Sequence, residues 1–205
     1  MTTECTTTNS AAGDRTTIRR HPERTATSRE ALAAILDEAT ICHVGFVHDG
    51  SPVVIPTIHA RDGEVLYLHG SPASRMLRGL AGGIDVCVTV TLVDGLVLAK
   101  SWMHHSLNYR SAVVFGHATV VDDPKAKVEA LRIVVDHVQA GRSTQSRPPS
   151  PKELAATLVL AVPLTEFSVK VRTGPPIEDP DDLPLEWWAG VIPLTTHVGA
   201  AIASA

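Results

Sequence analysis

The sequence predicts a mainly β, α+β domain, in which an antiparallel sheet closes or nearly closes into a barrel with a few helices outside it. Short Val- and Ile-rich runs recur along the chain, and Asp-Gly pairs separate several of them. Asp-Gly between two such runs is a strong signal for a β-hairpin. Other segments place apolar residues at helical spacing. With 205 residues, 44% of them hydrophobic, one domain is the expected count.

The composition of the two ends predicts the domain boundaries. Residues 1–26 are rich in Thr and Arg and carry almost no large apolar side chains, so we expect a largely disordered segment. Residues 195–205 are small and mostly uncharged, and we expect a flexible tail there. Residues 27–194 then form the folded domain.

The first half of this domain is predicted to begin with a helix and to continue as a three-stranded meander. The run Thr27-Ser28-Arg29-Glu30 resembles a capping box before a helix over residues 31–38. Ser71-Pro72 is typical of a helix N-terminus and predicts a helix to about residue 80. The predicted strands between these helices are 41–48, 52–59 and 64–69.

The second half is predicted to contain four more strands and two more helices. Asp94-Gly95 lies between two apolar runs and predicts another hairpin. Asp123-Pro124 predicts a capped helix through about residue 139, and a short helix is expected over 151–156. The predicted strands are 86–92, 96–101, 111–121 and 157–171.

Composition and spacing argue against several functions. No stretch approaches the roughly 20 apolar residues of a membrane span. Cys5, Cys42 and Cys87 have no metal-type or redox-type spacing, so we expect a reducing cytoplasm without disulfides or structural zinc. The net charge is −4 and the basic residues are scattered, which argues against nucleic acid as a partner. The ten histidines are dispersed, or adjacent like His104 and His105, and predict no metal site.

Three segments concentrate polar and aromatic side chains. In residues 68–75 a strand runs into a helix start, where free N–H groups, hydroxyls and Arg75 favour an anion; an ordinary cap with a solvated arginine is the alternative. Residues 100–111 combine indole, phenol, amide and guanidinium groups, which suits a heteroaromatic ligand or a contact between two copies. Residues 170–194 contain an acidic run, expected to be a solvated loop, and then Trp187-Trp188, which favours docking onto a surface.

Taken together, these segments resemble the pyridoxamine 5′-phosphate oxidase-related, flavin-nucleotide-binding family, which is also similar to the nitroimidazole-resistance proteins. The resemblance covers about residues 19–194, nearly all of the predicted folded part. The matching stretches are 19–24 (RRHPER), 66–71 (LYLHGS), 94–101 (DGLVLAKS), 104–111 (HHSLNYRS), 170–176 (KVRTGPP) and 188–193 (WAGVIP).

The resemblance implies an FMN-binding split β-barrel with peripheral helices, a homodimer, and FMN bound in a groove between the subunits. One strand would line the flavin ring, the strand-to-helix segment would hold the phosphate and ribityl chain, and a later strand would contribute from the facing side. The implied cofactor-binding residues are Val54, Ile55, Pro56, Thr57, Leu68, His69, Ser71, Ser74, Arg75, Asn108, Tyr109, Arg110 and Ser111. No catalytic residue is assigned, because flavin chemistry belongs mostly to the cofactor.

The function predicted first is an FMN-dependent oxidoreductase acting on a small molecule. The alternatives are a non-catalytic flavin-binding module, a deazaflavin-dependent reductase, and a haem-binding module in which His69, His104 or His105 is the axial ligand. True pyridoxamine-phosphate oxidases carry an arginine after the terminal Trp and an Arg-Lys pair at the helix start. Residues 187–194 contain no arginine, and the helix start has Arg75 alone, which argues against vitamin B6 oxidation.

Overall fold

The computed structural model describes residues 14–26 and 28–204, and within them the chain forms ten strands and four α-helices. The helices are α1 Arg29–Glu38, α2 Arg75–Ala81, α3 Pro124–Val138 and α4 Pro151–Ala155. The strands are β1 Thr25–Ala26, β2 Ile41–His48, β3 Ser51–Asp62, β4 Val65–Gly70, β5 Asp85–Leu98, β6 Ser106–His117, β7 Thr119–Val120, β8 Leu158–Pro163, β9 Glu166–Arg172 and β10 Gly190–Pro193. No described helix is both long enough and apolar enough to cross a membrane.

The strand order shows how the sheet closes. The described strands pair antiparallel. Their order across the sheet is β1-β9-β6-β5-β2-β3-β4-β8-β7, with β10 beside the end of β5. β8 and β9 lie near opposite ends of this order, yet only Leu164 and Thr165 separate them along the chain. The sheet must therefore curl until its ends approach each other, which confirms the predicted antiparallel barrel.

The core inside the curled sheet is built almost entirely from aliphatic side chains. Along β5, Val86, Val88 and Val90 alternate inward and are each 1% exposed. Phe46 is also buried. The helices α1 and α2 add one apolar face each, formed by Leu32, Ile35, Leu36, Met76, Leu77 and Leu80.

The predicted hairpin at Asp94-Gly95 is wrong, because β5 runs straight through it. Against β6, Val93 pairs with Tyr109 and Gly95 pairs with Asn108, so Asp94 is an extra residue in β5. This is a β-bulge, which inserts one residue without reversing the chain.

The predicted last strand, 157–171, is two strands. β8 pairs with β4 and β7, whereas β9 pairs with β6 and β1. Pro163, which lacks an N–H, ends β8, and the chain then crosses to the other end of the sheet.

The predicted start of α2 is also wrong, because Ser74, not Ser71, is its N-cap. The Ser74 hydroxyl accepts a hydrogen bond from Leu77 N at 3.4 Å. Ser71 instead stabilises a turn: its hydroxyl accepts from Ala73 N at 3.2 Å and its carbonyl accepts from Ser74 N at 2.9 Å. A second serine three residues on therefore takes the capping role.

At the other predicted cap, α1 begins two residues earlier than predicted. The Ser28 hydroxyl accepts from Ala31 N at 3.1 Å, so Ser28 is the N-cap and Arg29 is the first helical residue. Thr27 lies outside the described residues. The helix α3, in contrast, begins as predicted, with Asp123 accepting from Ala126 N at 2.8 Å.

The described part of segment 1–26 is structured, which corrects the predicted boundary. Pro22–Arg24 form a 3₁₀ helix, and β1 pairs with β9 through Thr25 to Lys170 and Ala26 to Val169. The folded domain therefore begins before residue 27. Residues 1–13 lie outside the described residues, and residues 195–204 are exposed and contain neither helix nor strand.

Candidate functional site

Two of the three sets of predicted cofactor residues lie next to each other. β3 and β4 pair through His59 and Leu68, and residues 54–57 come immediately before this pair along β3. The third set, 108–111, lies on β6, which β5 and β2 separate from β3. Along the sheet, three strand spacings amount to about 14 Å, so strand pairing within one chain does not place the third set beside the other two.

The β3 set presents an apolar surface. Val54 is 64% exposed and Pro56 is also exposed, whereas Ile55 packs against the core from the opposite face and Thr57 is half-buried. The outward side chains of β3 therefore offer a flat apolar patch to a ring or to another surface.

The β4 end contributes one side chain with an unmet hydrogen-bonding requirement. Leu68 is fully buried, which leaves only its main chain for a ligand. His69 is half-buried, and its Nδ1 is buried without a hydrogen-bond partner in the described chain. Burial lowers the pKa of His69. Because a buried polar nitrogen normally has a partner, His69 favours a ligand or a water molecule at this position.

The segment after β4 offers one free cation. Ser71 and Ser74 use their hydroxyls in the turn and the helix cap. Arg75, the first residue of α2, is exposed, and within the described residues no ion pair or hydrogen bond engages its side chain. Arg75 is therefore available for an anionic group of a ligand.

The Arg110 side chain on β6 is occupied by two carboxylates. Its guanidinium donates to Asp94 at 2.9 and 2.7 Å and to both carboxylate oxygens of Glu38. These hydrogen bonds lower the pKa values of Asp94 and Glu38 and raise that of Arg110. The charge of Arg110 is thus compensated within the chain. If Arg110 contacts a cofactor, we expect it to do so mainly through its main chain.

The remaining β6 residues face β9. The Asn108 amide donates to Gly174 O at 3.2 Å, and its oxygen accepts from Arg172. The Ser111 hydroxyl donates to Lys170 O at 3.4 Å, while Tyr109 is half-buried. The predicted set on β6 therefore also holds the segment that follows β9.

A cleft of about 490 Å³ lies beside this segment, and sequence reasoning did not assign it. Its charged and polar residues come from three of the stretches that carry the family resemblance, which the pairing of β9 with β1 and with β6 brings together. The sequence signal was the density of Arg and His in residues 19–24 and the alternation of Lys170 and Arg172 on one face of a strand. The lining residues are Arg20, His21, Arg24, Met103, His104, His105, Ser106, Lys170, Arg172 and Ile177.

Two histidines of the cleft have a carboxylate partner. His21 Nδ1 lies 3.0 Å from Glu23 Oε1, and His104 Nε2 lies 3.1 Å from Asp179 Oδ2. A carboxylate fixes the proton on the nitrogen that faces it, which leaves a lone pair on the other nitrogen of the neutral ring. His21 and His104 therefore fit a metal or haem-iron ligand.

The third histidine of the cleft has the opposite arrangement. His105 Nδ1 accepts a hydrogen bond from Ala99 N at 2.9 Å, so the neutral ring carries its proton on Nε2. His105, one of the predicted axial ligands, thus has no free lone pair while this bond exists.

A group of possible metal ligands surrounds His104. Ligand atoms of His104, Asp179 and Asp182 all lie within 4.8 Å of one another. Two residues of the predicted solvated acidic run therefore lie beside a histidine, and together they could hold a divalent cation.

A known protein family matches most of the described domain. Its model, described as pyridoxamine 5′-phosphate oxidase, matches residues 28–171. The chain belongs to the pyridoxamine 5′-phosphate oxidase family. The predicted family is thereby confirmed.

Solved structures extend the family comparison beyond the matched segment. The chain is 39% identical to the flavocytochrome Anf3 from Azotobacter vinelandii, over 94% of this chain and 89% of that one, with a TM-score of 0.89. It is 40% identical to an FAD and haem binding protein from Mycobacterium smegmatis, over 88% and 89%, with a TM-score of 0.85. It is 25% identical to a Bacteroides thetaiotaomicron protein described as a 5-nitroimidazole antibiotic resistance protein, over 72% and 86%, with a TM-score of 0.59. A comparison with curated proteins gave no match.

These relatives confirm the split β-barrel of the pyridoxamine 5′-phosphate oxidase family as the fold of this chain. The likeness to Anf3 and to the Mycobacterium smegmatis protein covers 94% and 88% of the chain. For the individual cofactor residues, the assignments remain predictions.

Proposed function

We propose that this protein binds FMN and is a flavin-dependent oxidoreductase acting on a small molecule. The observation that carries the proposal is the sequence of groups along β3, β4 and α2. An exposed apolar patch at Val54 and Pro56 is followed by the unpartnered Nδ1 of His69 and then by the free cation of Arg75. These are the groups that an apolar ring, its polar edge and a terminal phosphate require.

The chain's own residues would bind and orient the flavin, and the bound flavin supplies the redox chemistry. Main-chain groups of residues 54–57 and of Leu68 would lie along the ring. Arg75 would hold the phosphate. No residue is assigned a catalytic role.

We further propose a homodimer with the flavin groove between the subunits. Along the sheet of one chain, the β6 set is three strand spacings, about 14 Å, from β3, so in this proposal a second copy supplies Asn108, Tyr109, Arg110 and Ser111. Exposed tryptophans support a second surface, since Trp102, Trp187 and Trp188 are 91%, 69% and 63% exposed.

The test is an absorption spectrum of the purified protein, followed by anaerobic addition of NADH or NADPH. We expect flavin absorption bands that bleach on reduction, and a rise in thermal midpoint when FMN is added to flavin-free protein. At a ligand concentration of about 100 Kd, the gain in unfolding free energy is about 2.7 kcal/mol. A colourless protein whose thermal midpoint does not rise with FMN contradicts the proposal.

One outcome of this experiment and one further titration separate the alternatives that share flavin binding. Bound flavin without turnover of any reductant or acceptor favours a non-catalytic flavin-binding module. Titration of FMN, FAD and a deazaflavin cofactor under identical salt identifies the preferred cofactor. FAD is included because the similar Mycobacterium smegmatis protein is an FAD and haem binding protein.

Haem binding is the second candidate function, and the histidine geometry favours it. Two similar proteins are a flavocytochrome and an FAD and haem binding protein. His21 and His104 have the carboxylate partner that orients an axial histidine, and His69 has a free buried nitrogen. A Soret band on haem addition that is lost in one of the single variants His21→Ala, His69→Ala or His104→Ala identifies the ligand. His105→Ala is the matched control.

A further inference from the structure

The cleft between the N-terminal segment and β9 collects positive charge. None of the residues that line it is acidic, and four of them carry a positively charged side chain. Two carboxylates lie just outside the lining: Glu23 is shared between His21 Nδ1 at 3.0 Å and Arg24 Nε at 3.7 Å, and Asp179 pairs with His104 at 3.1 Å. The four cationic residues are Arg20, Arg24, Lys170 and Arg172.

Arg172 is the most deeply placed of these cations. It is 6% exposed and donates to Gly174 O at 3.1 Å, to Pro175 O at 2.9 Å and to the Asn108 amide oxygen. Among residues 14–26 and 28–204, no carboxylate lies within ion-pair distance of its guanidinium. Burial, followed by the nearby charge of Arg24, lowers the pKa of Arg172. Burying a cation that has only neutral hydrogen-bond acceptors costs free energy. An anion that binds beside Arg172 would recover part of this cost.

Two further cations lie close to this centre. Lys170 is two residues from Arg172 along β9, so the two side chains share one face of the strand. Its Nζ donates to the Arg20 carbonyl at 3.0 Å, which fixes the N-terminal segment against β9. The Arg20 side chain itself is exposed, and no partner within the described residues neutralises it.

We propose that this cleft binds a ligand end that carries at least two negative charges, as two carboxylates or as a pyrophosphate. The volume of about 490 Å³ is in the range of small-molecule pockets, and Met103 and Ile177 supply apolar contacts. Haem, with its two propionates, and a dinucleotide such as FAD both have such an end. The site lies on β9 and the N-terminal segment, away from β3, so the proposal goes beyond FMN binding. For haem it rests on the second candidate function above, and for FAD it rests on the proposed groove between subunits, because the first phosphate of FAD is the one assigned to Arg75.

The first test measures the binding of inorganic pyrophosphate by calorimetry. We expect the wild-type protein to bind it, and Arg24→Gln and Lys170→Gln each to weaken it by about tenfold, the loss of one charge-assisted contact. Arg142→Gln makes the same charge change at an exposed residue outside the cleft and should leave the affinity unchanged. Arg20→Gln is the reserve variant if either substitution prevents folding. Absence of pyrophosphate binding, or equal loss in the Arg142→Gln control, overturns the proposal.

The second test identifies the source of the anion by two matched pairs of ligands. Haem is compared with its dimethyl ester, and FAD with FMN, in wild type and in Arg24→Gln. A preference of tenfold or more for haem over its ester that disappears in Arg24→Gln assigns the site to the propionates. The same behaviour for FAD over FMN assigns it to the pyrophosphate. If neither preference depends on Arg24, the proposed ligand class is wrong.

The two proposals fail separately in these experiments. Riboflavin and FMN affinities are measured on the same variants, and we expect the cleft substitutions to leave them unchanged. A protein that binds pyrophosphate but no flavin contradicts the proposed function alone. A protein that binds FMN but shows no charge dependence at the cleft contradicts this inference alone.

Discussion

Asp94 and Arg110 form a bidentate ion pair across β5 and β6, with Nε–Oδ2 at 2.9 Å and Nη2–Oδ1 at 2.7 Å. Asp94 is the residue that the bulge inserts into β5, and Arg110 is one of the predicted cofactor residues. The bulge therefore places a carboxylate where it can hold a β6 side chain in one position.

This pair makes stability depend on the charge of Asp94. We expect Asp94→Asn to lower the free energy of unfolding by about 1 kcal/mol at pH 7, the order of a partly exposed charge-assisted contact. Because the pKa of Asp94 is lowered in the folded protein, its contribution is present above the ordinary value of 3.8 and is lost as the pH falls through the folded pKa. Denaturant titrations of wild type and variant should therefore converge in acid. Asp122→Asn, an exposed acid without an ion pair in the described chain, is the control.

Arg75 should distinguish FMN from riboflavin, since only FMN carries the phosphate. We expect Arg75→Ala to weaken FMN by about tenfold and to leave riboflavin nearly unchanged, measured by quenching of flavin fluorescence. Arg78→Ala removes an exposed arginine from the same helix and serves as the control. Equal weakening of both flavins by Arg75→Ala would show that Arg75 does not bind the phosphate.

The fully buried His59 should make the protein sensitive to acid. Its Nε2 lies 3.0 Å from Leu36 O, its Nδ1 has no partner in the described chain, and the His137 ring centroid is 5.2 Å away. Burial lowers the pKa of His59 from 6.5 to about 4. The unfolded chain therefore binds the proton first as the pH falls from 6.5, and stability decreases over this range by up to about 3 kcal/mol.

Urea unfolding at several pH values between 7 and 4 checks this prediction. The variant His59→Gln keeps a side chain that can donate to Leu36 O but has no titrating ring, so its stability should vary less over this range. If the stability of the wild-type protein and of the variant depends on pH in the same way, the acid sensitivity comes from other groups.

The groove between subunits predicts a dimer in solution. Light scattering should give twice 21.8 kDa, and flavin should remain bound at concentrations where the dimer persists. The exposed apolar patch on β3 offers a probe: we expect Val54→Asp to weaken flavin binding or dimerisation, while Val198→Asp, at an exposed position in the tail, changes neither. A monomer that still holds FMN tightly would contradict the groove between subunits.

The sequence predicted the helices and strands correctly where residues close together along the chain determine them. Asp49-Gly50 lies between β2 and β3 as expected, Gly63 follows the end of β3 at the next turn, and Asp123 caps α3, because turns and caps involve residues close in sequence. Asp94-Gly95 has the same residue types, but the pairing partner β6 turns it into a bulge. The contact with another strand determines this bulge, and the residue types at positions 94 and 95 do not predict it.

The candidate site shows the same division. The strand-to-helix segment around Arg75 could be proposed from the sequence, because all of its groups lie within a few residues. The cleft could not, because its cations come from both ends of the chain: the bond from Lys170 to the Arg20 carbonyl joins residues 150 apart. Only the pairing of β1 with β9 places these charges together.

That pairing also sets the order in which the molecule can be completed. Contacts between residues so distant in sequence form late, because closing long loops costs entropy before any contact repays it. During synthesis, β1 has to wait until β9 has been made before it can join the sheet. The cationic cleft is therefore among the last features to form, and a chain truncated before β9 would have neither the cleft nor a closed barrel.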